Sequence, residues 1–379
     1  MLKHISINKL FNLYDYEIEM ASNHGNPIKN IMFLTGPNGM GKSTILRSVA
    51  SVYKRQFSYF SLFPFESMSF DFDTCGVEIS QTTKYKDVDE DSDASADKIV
   101  TVKCDYFTKG KQSISEHGEW CYIDGVKGTI ADNMPNMEMY FNAQKCLYIS
   151  DHRLVENYDD AVVGPYLVME VLRNIQAAFS EGYSAQMDSS TKEESEKMVK
   201  INSMKPLLKL LYDCDIILPF DIKIFDDNSV SDYQIACCEN AIKNCGDLIS
   251  KLQGFYQFVD NSKFLGKTFK ITINSGLQFY AINEDRSLLG FNQLSLGEQH
   301  IISQIYSMFF SPIPYKLVLI DEPELSFHLM WQQQYLGNIK KVQALRQCAF
   351  LIATHSTQVF EGKFELTTDL FEQNEKLFD

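Results

Sequence analysis

The sequence predicts an α/β protein, and three observations support this fold class. A glycine-rich segment stands between a short apolar run and a stretch of helical spacing, which is the strand–loop–helix order of a phosphate-binding loop. A second apolar run, 317–320, ends in two carboxylates, a pattern that suits a nucleotide-binding sheet. Between these ends, the segment 66–150 alternates apolar and polar residues, which indicates antiparallel strands.

The composition is that of a globular protein with a strong negative charge. Of the 379 residues, 45% are hydrophobic and 22% are charged, and the formal net charge is −15. This charge disfavours non-specific coating of nucleic acid, since affinity for phosphates comes largely from Lys and Arg. No apolar run approaches the roughly 18 residues of a membrane helix. The nine cysteines contain no C-x-x-C pair, so we expect free thiols in a reducing cytoplasm.

The pattern along the chain divides it into three predicted segments. Residues 1–155 form an N-terminal lobe with antiparallel strands and an acidic loop at 84–98. Residues 156–262 change to helical spacing and predict a helical insert, and residues 263–379 return to strands. We therefore expect an antiparallel sheet in the N-terminal lobe and an inserted helical subdomain.

The strongest local signal is the segment 36–44, which reads GPNGMGKST and matches G-x-x-x-x-G-K-[ST]. Its glycines permit backbone conformations that direct successive N–H groups towards a phosphate. Lys42 would reach the β- and γ-phosphates, and the Ser43 hydroxyl would bind Mg²⁺. The predicted nucleotide-binding residues of this loop are Asn38, Gly39, Gly41, Lys42, Ser43 and Thr44.

The acidic end of the run 317–320 supplies the predicted catalytic carboxylates. Asp321 would hold Mg²⁺ through water, and Glu322 would act as the general base that polarises the attacking water. An apolar run before Asp-Glu is common by itself. Together with the phosphate-binding loop, it predicts nucleotide hydrolysis.

Two further motifs complete an ordered set. LSLGEQ at 294–299 precedes the acidic strand, and ATHS at 353–356 follows it. The four motifs and their order resemble ABC-type ATPases, and this resemblance covers residues 1–60 and 264–362. It implies an ATPase head with a mixed core sheet and an additional antiparallel sheet. It also implies a head-to-tail homodimer in which each ATP lies between the phosphate-binding loop of one subunit and the signature of the other. The signature residues that would bind this ATP are Ser295, Gly297 and Glu298.

His355 lies at the end of an apolar run and resembles the switch histidine of this family. A lone histidine at a strand end is usually structural, but the other motifs favour contact with the γ-phosphate and the attacking water. His328 stands where transporters of the family carry an aspartate, and helix capping is the alternative interpretation. Arg153 follows a strand that resembles a nucleotide-sensing loop. It is a candidate sensor, with a structural salt bridge as the alternative.

The long insert between Lys42 and Ser295 resembles the SMC, RecF and OLD branch of the family and disfavours a transporter subunit. The chain resembles stand-alone ATPases of anti-phage systems such as PARIS and Septu. This resemblance implies a sensor or scaffold that controls a separately encoded Toprim or HNH nuclease, and we expect no nuclease in the few residues after His355. The alternative is a RecF-type DNA-repair ATPase. The net charge and the presence of only six Arg favour a protein partner, with residues 160–260 as the expected contact surface.

Overall fold

A computed structural model of the chain describes most of its residues. The described ranges are 1–20, 30–85, 98–110, 113–123, 126–150, 194–214, 235, 238–239, 242–243, 246–261, 266–272, 275–282, 285–311, 315–325 and 327–378. The predicted sensor Arg153 and most of the acidic loop lie outside them. The chain divides into two compact units: Met1–Asp151 with Ile313–Asp379, and His152–Pro312.

The strands in chain order are β1 (Leu2–Leu10), β2 (Tyr14–Glu19), β3 (Ile31–Thr35), β4 (Ser67–Phe72), β5 (Cys75–Tyr85), β6 (Lys98–Thr108), β7 (Ser115–Ile123), β8 (Val126–Asp132), β9 (Lys145–Ile149), β10 (Lys267–Thr272), β11 (Gly276–Ala281), β12 (Leu288–Leu289), β13 (Tyr315–Asp321), β14 (Ala349–Ala353) and β15 (Thr367–Asp369). The described α-helices are α1 (Lys42–Lys54), α2 (Pro135–Ala143), α3 (Glu194–Asp213), α4 (Gly246–Asn261), α5 (Leu296–Phe310) and α6 (Leu329–Arg346). Short 3₁₀ helices span Phe57–Ser61, Phe291–Gln293, Phe364–Leu366 and Glu372–Leu377.

The first unit contains a five-stranded sheet in the order β15-β3-β14-β13-β9, and all its described pairs are parallel. Strands β3, β13 and β14 are almost continuously apolar and buried, as expected for parallel strands that are covered on both faces. The α/β fold class is therefore confirmed. The expectation of a mixed core sheet is corrected: among the described strands, the five-stranded core sheet is parallel, and the antiparallel pairs lie in two other sheets.

The second sheet of this unit has seven antiparallel strands in the order β2-β1-β4-β5-β6-β7-β8. Its strands β1, β4, β6 and β7 alternate buried and less buried side chains, as the sequence pattern of segment 66–150 predicted for β4, β6 and β7. Aromatic side chains fill the core beside it: the ring of Trp120 stacks on Phe57 with centroids 4.2 Å apart. The sheet thus carries one large apolar face into the core of the unit.

The outer edge of β2 is covered by two amide side chains from the 3₁₀ helix Glu372–Leu377. Asn374 accepts a hydrogen bond from the Asp15 N–H (3.0 Å) and donates one to the Asp15 carbonyl (2.8 Å). Gln373 pairs in the same way with the N–H and the carbonyl of Glu17, at 2.8 Å each. These four bonds take the place of a neighbouring strand.

The second unit contains helices α3, α4 and α5 and a three-stranded antiparallel sheet in the order β10-β11-β12. The segments of 156–262 that the structure describes are helical, as their apolar spacing predicted. Phe255 of α4 packs edge-on against Tyr306 and Phe310 of α5. The predicted segment 263–379 contributes to both units, because α5 belongs to the second unit and β13 to the first. Within the described residues, every helix is too short or too polar to cross a membrane.

Candidate nucleotide-binding site

The predicted phosphate-binding loop joins the end of β3 to the start of α1 in the first unit. Gly36, Gly39 and Gly41 have φ values of 134°, 86° and 83°, a region that side-chain-bearing residues rarely adopt. A Cβ atom on Gly41 would also lie 2.6 Å from Cδ2 of Leu10. Glycine is therefore required at Gly41 both for its backbone conformation and for its close approach to β1. Asn38 and Gly39 are exposed at the top of the loop.

Lys42 is hydrogen-bonded through its ammonium group to the backbone of this loop. Its side chain is 5% exposed, and Nζ donates hydrogen bonds to the carbonyl oxygens of Gly36 (2.8 Å) and Pro37 (3.0 Å). Burial lowers the pKa of Lys42, and the nearby carboxylates, Glu322 first among them, act in the opposite direction. The ammonium group is thus held inside the loop. If a phosphate bound there, the ammonium group would exchange its bonds to the two carbonyl oxygens for a charge-assisted hydrogen bond to the phosphate.

Ser43 and Asp321 meet beside the loop. The Ser43 hydroxyl donates a hydrogen bond of 3.0 Å to Oδ1 of Asp321, and Asp321 is fully buried at the end of β13. A hydroxyl and a carboxylate are hard oxygen donors of the kind that Mg²⁺ prefers. The two predicted metal-binding residues therefore fit this ion in chemistry and in proximity.

The two predicted catalytic side chains, Glu322 and His355, also come together. Asp321 and Ala353 are paired across β13 and β14, so both strands end at the same edge of the sheet. Glu322 has a φ of 45° and donates its N–H to the carbonyl of Ala353 (2.9 Å). Its carboxylate oxygen Oε1 lies 3.4 Å from Nε2 of His355, and both side chains are partly exposed. A carboxylate and an imidazole thus lie side by side at this edge of the sheet, where solvent reaches both.

Sequence reasoning missed two tyrosines that support the loop. The Tyr16 hydroxyl of β2 donates a hydrogen bond of 2.8 Å to the Met40 carbonyl, and this contact is buried. Tyr59 hydrogen-bonds the side chain of Thr44, and burial raises the pKa of Tyr59. Neither residue has a distinctive pattern, because each is one aromatic residue among several in a strand or short helix. Their roles are visible only once distant segments are brought together.

Two polar residues hold the segment around His355, a role that the sequence did not predict. Oε1 of Glu324 accepts a hydrogen bond of 2.7 Å from the His355 backbone N–H. The Gln332 side chain accepts one of 2.7 Å from the Ser356 hydroxyl. For the Glu324 contact, the sequence offered one signal, which is a second glutamate directly after Glu322-Pro323.

The signature residues lie in the second unit. Helix α5 begins at Leu296, and Ser295 caps it: its Oγ accepts a hydrogen bond from the Glu298 N–H, and the Glu298 carboxylate accepts one from the Ser295 N–H (2.7 Å). Gly297 is buried. Both oxygens of Glu298 also bind Nζ of Lys267, at 2.9 and 2.7 Å. Burial opposes ionisation of Glu298, but these hydrogen bonds outweigh it and lower the pKa of this carboxyl.

His328 has the capping position that we considered as its alternative interpretation. It is the N-cap residue of α6, and its Nδ1 accepts a hydrogen bond of 3.4 Å from the Met330 N–H. This contact accounts for a polar side chain at that position.

A parallel sheet, a phosphate-binding loop after β3 and an acidic end of β13 give the first unit the α/β fold of a P-loop nucleotide-binding domain. A family model described as "AAA domain, putative AbiEii toxin, Type IV TA system" matches residues 176–361, which include the signature, the acidic strand end and His355. No curated protein matches the chain.

Among solved structures, the chain is similar to heads of Smc proteins at low scores. The Smc head domain of Pyrococcus furiosus, with an extended coiled coil and bound to the C-terminal domain of ScpA, is 12% identical with a TM-score of 0.42. The SMC head domain of Thermotoga maritima is 11% identical with a TM-score of 0.36. Each alignment covers 95% of this chain and 91% of the other. Scores this low assign neither a function nor a partner.

Proposed function

We propose that this chain binds ATP with Mg²⁺, hydrolyses it, and uses ATP-dependent association to control a separately encoded nuclease in anti-phage defence. The observation that carries the enzymatic part is the meeting of Ser43 with Asp321, and of Glu322 with His355, beside one phosphate-binding loop. Four groups with complementary chemistry converge from segments that are far apart in sequence. Such convergence is the expected arrangement of a hydrolytic site.

Each residue has one task in the proposed reaction. The loop amides and Lys42 bind the β- and γ-phosphates, and Ser43 and Asp321 hold the metal. When bound, Mg²⁺ neutralises charge on these phosphates. Glu322 accepts the proton of the attacking water, and His355, 3.4 Å from this carboxylate, orients the same water towards the γ-phosphate.

The signature (294–299) in the second unit is the proposed contact for ATP-dependent association of two subunits. Ser295 and Gly297 stand at the start of α5, where the positive end of the helix dipole favours an anion. In a head-to-tail homodimer, this helix start would bind the γ-phosphate held by the other subunit. ATP would then join the subunits, and hydrolysis would release them.

The proposed effector rests on motif order, on net charge and on the family model. The formal charge of −15 supports a protein partner rather than a DNA coat. The matching family model is described as a putative toxin of a type IV TA system, which supports a role together with a second, separately encoded protein. The arrangement of the two ATP-bound heads would hold the nuclease in an inactive or an active state. This control requires that the nuclease has different affinities for the ATP-bound and the ATP-free assembly.

Phosphate release by purified wild-type protein and by Glu322→Gln tests the enzymatic part. The amide cannot accept the proton, so we expect a loss of about 10²–10⁴-fold in turnover, with ATP affinity retained. Glu361→Ala is a matched control, because this glutamate pairs with Lys363 away from the loop. Wild-type phosphate release by Glu322→Gln would remove Glu322 from the mechanism.

The cellular part is tested by co-expression with neighbouring gene products, affinity purification and phage plating. We expect co-purification with a nuclease, and protection only when both proteins are present and Glu322 is intact. Protection by the ATPase alone, or by a pair that carries Glu322→Gln, would contradict the proposal. Tight and salt-sensitive binding to gapped DNA without a protein partner would favour the DNA-repair alternative.

A further inference from the structure

The carboxylate of Glu324 holds the backbone of His355. Its Oε1 accepts a hydrogen bond of 2.7 Å from the His355 N–H. Glu324 lies two residues after Glu322, in a turn that we call the catalytic turn (322–325). In this turn the Leu325 N–H donates to the Glu322 carbonyl (3.2 Å), and just after it the Phe327 N–H donates to the Glu324 carbonyl (2.8 Å). The residue that would act as base and the residue that would orient the water are therefore joined through Glu324.

The segment 354–356 is held from two other sides as well. The Thr354 N–H donates to the Leu34 carbonyl of β3 at 3.1 Å, and Thr354 is fully buried. The Ser356 hydroxyl donates to Gln332 of α6, whose own side-chain amide donates to the Phe327 carbonyl at 3.1 Å. Among the described residues, the backbone of His355 is the part of this segment that is held by a side chain from the catalytic turn after β13.

Two different roles could follow from this placement. The first is the hydrogen bond to the His355 backbone. The second is the negative charge, which lies close enough to Lys42 to influence it, as do Glu322, Asp321 and Asp369. Three other carboxylates supply the second effect, whereas only Glu324 among the described residues bonds the His355 N–H. The geometry thus favours the first role.

We propose that Glu324 is a positioning residue for His355: by accepting the His355 N–H, it keeps Nε2 of the imidazole beside the Glu322 carboxylate. This inference rests on the proposed ATPase function. A misplacement of a reacting group by about 1 Å costs up to about 10²-fold in rate. We expect the loss of the Glu324 hydrogen bond to the His355 N–H to cause such a displacement.

Two substitutions separate the two roles. Glu324→Gln removes the charge but keeps a carbonyl oxygen that can accept the His355 N–H, and Glu324→Ala removes both. We expect Glu324→Ala to lower kcat by about 10–100-fold with KM for ATP within about threefold, because phosphate binding by the loop is untouched. Glu324→Gln should keep kcat within about threefold of wild type. Glu361→Ala is again the control for an acidic side chain removed from the same unit.

A second measurement does not depend on turnover. The exchange rate of the His355 amide hydrogen in nucleotide-free protein, measured by NMR, reports the hydrogen bond directly. We expect exchange about tenfold faster or more in Glu324→Ala, and exchange near the wild-type rate in Glu324→Gln. If wild type releases no phosphate, the proposed function fails, while the exchange rates still test the hold of Glu324 on His355.

Two results would overturn the inference. One is a Glu324→Ala protein with wild-type kcat and unchanged His355 exchange. The other is a Glu324→Gln protein that is as slow as Glu324→Ala, which would assign the effect to the charge of Glu324.

Discussion

The Ser43 hydroxyl at the start of α1 donates a hydrogen bond of 3.0 Å to Oδ1 of Asp321 at the end of β13. This bond joins the phosphate-binding loop to the acidic strand end across 278 positions of sequence. Two oxygen atoms are therefore already adjacent, which would lower the cost of ordering them around the proposed Mg²⁺.

We expect Ser43→Ala to weaken the dependence of nucleotide binding on Mg²⁺, because one of the two proposed oxygen ligands is lost. The apparent affinity for Mg²⁺ at fixed ATP should fall about tenfold or more. Titration of a fluorescent ATP analogue with Mg²⁺ measures it. Ser48→Ala, on the same helix but buried in the core, should show the wild-type Mg²⁺ dependence. An unchanged titration in Ser43→Ala would exclude this hydroxyl from the metal site.

Gly41→Ala should abolish nucleotide binding or prevent folding of the loop. Its φ of 83° costs about 1–2 kcal/mol for an L-residue, and the added Cβ would press against Leu10. Gly337→Ala is the matched control, because a Cβ in that part of α6 meets no atom within 4 Å. This control should stabilise the protein by up to about 1 kcal/mol. Calorimetry of ATP binding and thermal unfolding distinguish the two variants, and full ATP affinity in Gly41→Ala would contradict the loop geometry.

Ser295→Arg should leave ATP binding by the monomer intact and prevent ATP-dependent association. The long cation would occupy the start of α5, where the γ-phosphate of the other subunit is proposed to bind. Light scattering with ATP and with ADP measures the change in mass. If Ser295→Arg still associates with ATP as wild type does, the interface lies elsewhere in the molecule.

Lys267→Met should destabilise the second unit. It leaves the buried Glu298 carboxylate without its cation, at a cost of about 3 kcal/mol near pH 7. Because the pKa of folded Glu298 is lowered from its ordinary 4.5, this stabilisation is present above pH 4.5 and disappears as the pH falls through the folded value. Urea unfolding followed by circular dichroism should therefore show the two proteins converging in acid.

The exposed pair Lys103–Glu119, 3.8 Å apart, provides the control for this substitution. Lys103→Met should change the free energy of unfolding by less than about 1 kcal/mol at any pH. An equal loss of unfolding free energy in Lys267→Met and Lys103→Met would mean that the burial of Glu298 does not strengthen its ion pair with Lys267.

The parts of the site that were predictable from sequence are those built from contiguous residues. The loop around Gly41, the acidic end at Asp321 and the cap at Ser295 each depend on neighbours within a few positions, so a short pattern contains them. The contacts of Tyr16, Glu324 and Lys267 were not predictable, because each joins segments that only the fold brings together. The expectation of a mixed core came from the family resemblance, because continuous apolar strands look alike in mixed and parallel sheets and do not distinguish them.

The amides of Gln373 and Asn374 satisfy the backbone groups of Asp15 and Glu17 along the outer edge of β2. An uncovered edge strand is a template on which the strand of another molecule can add, and repeated addition leads to aggregates and fibrils. A seven-stranded sheet with such an open edge would be vulnerable at the concentrations reached during overexpression. Two side chains, rather than a further strand, therefore protect this protein from growing sheets with its own copies.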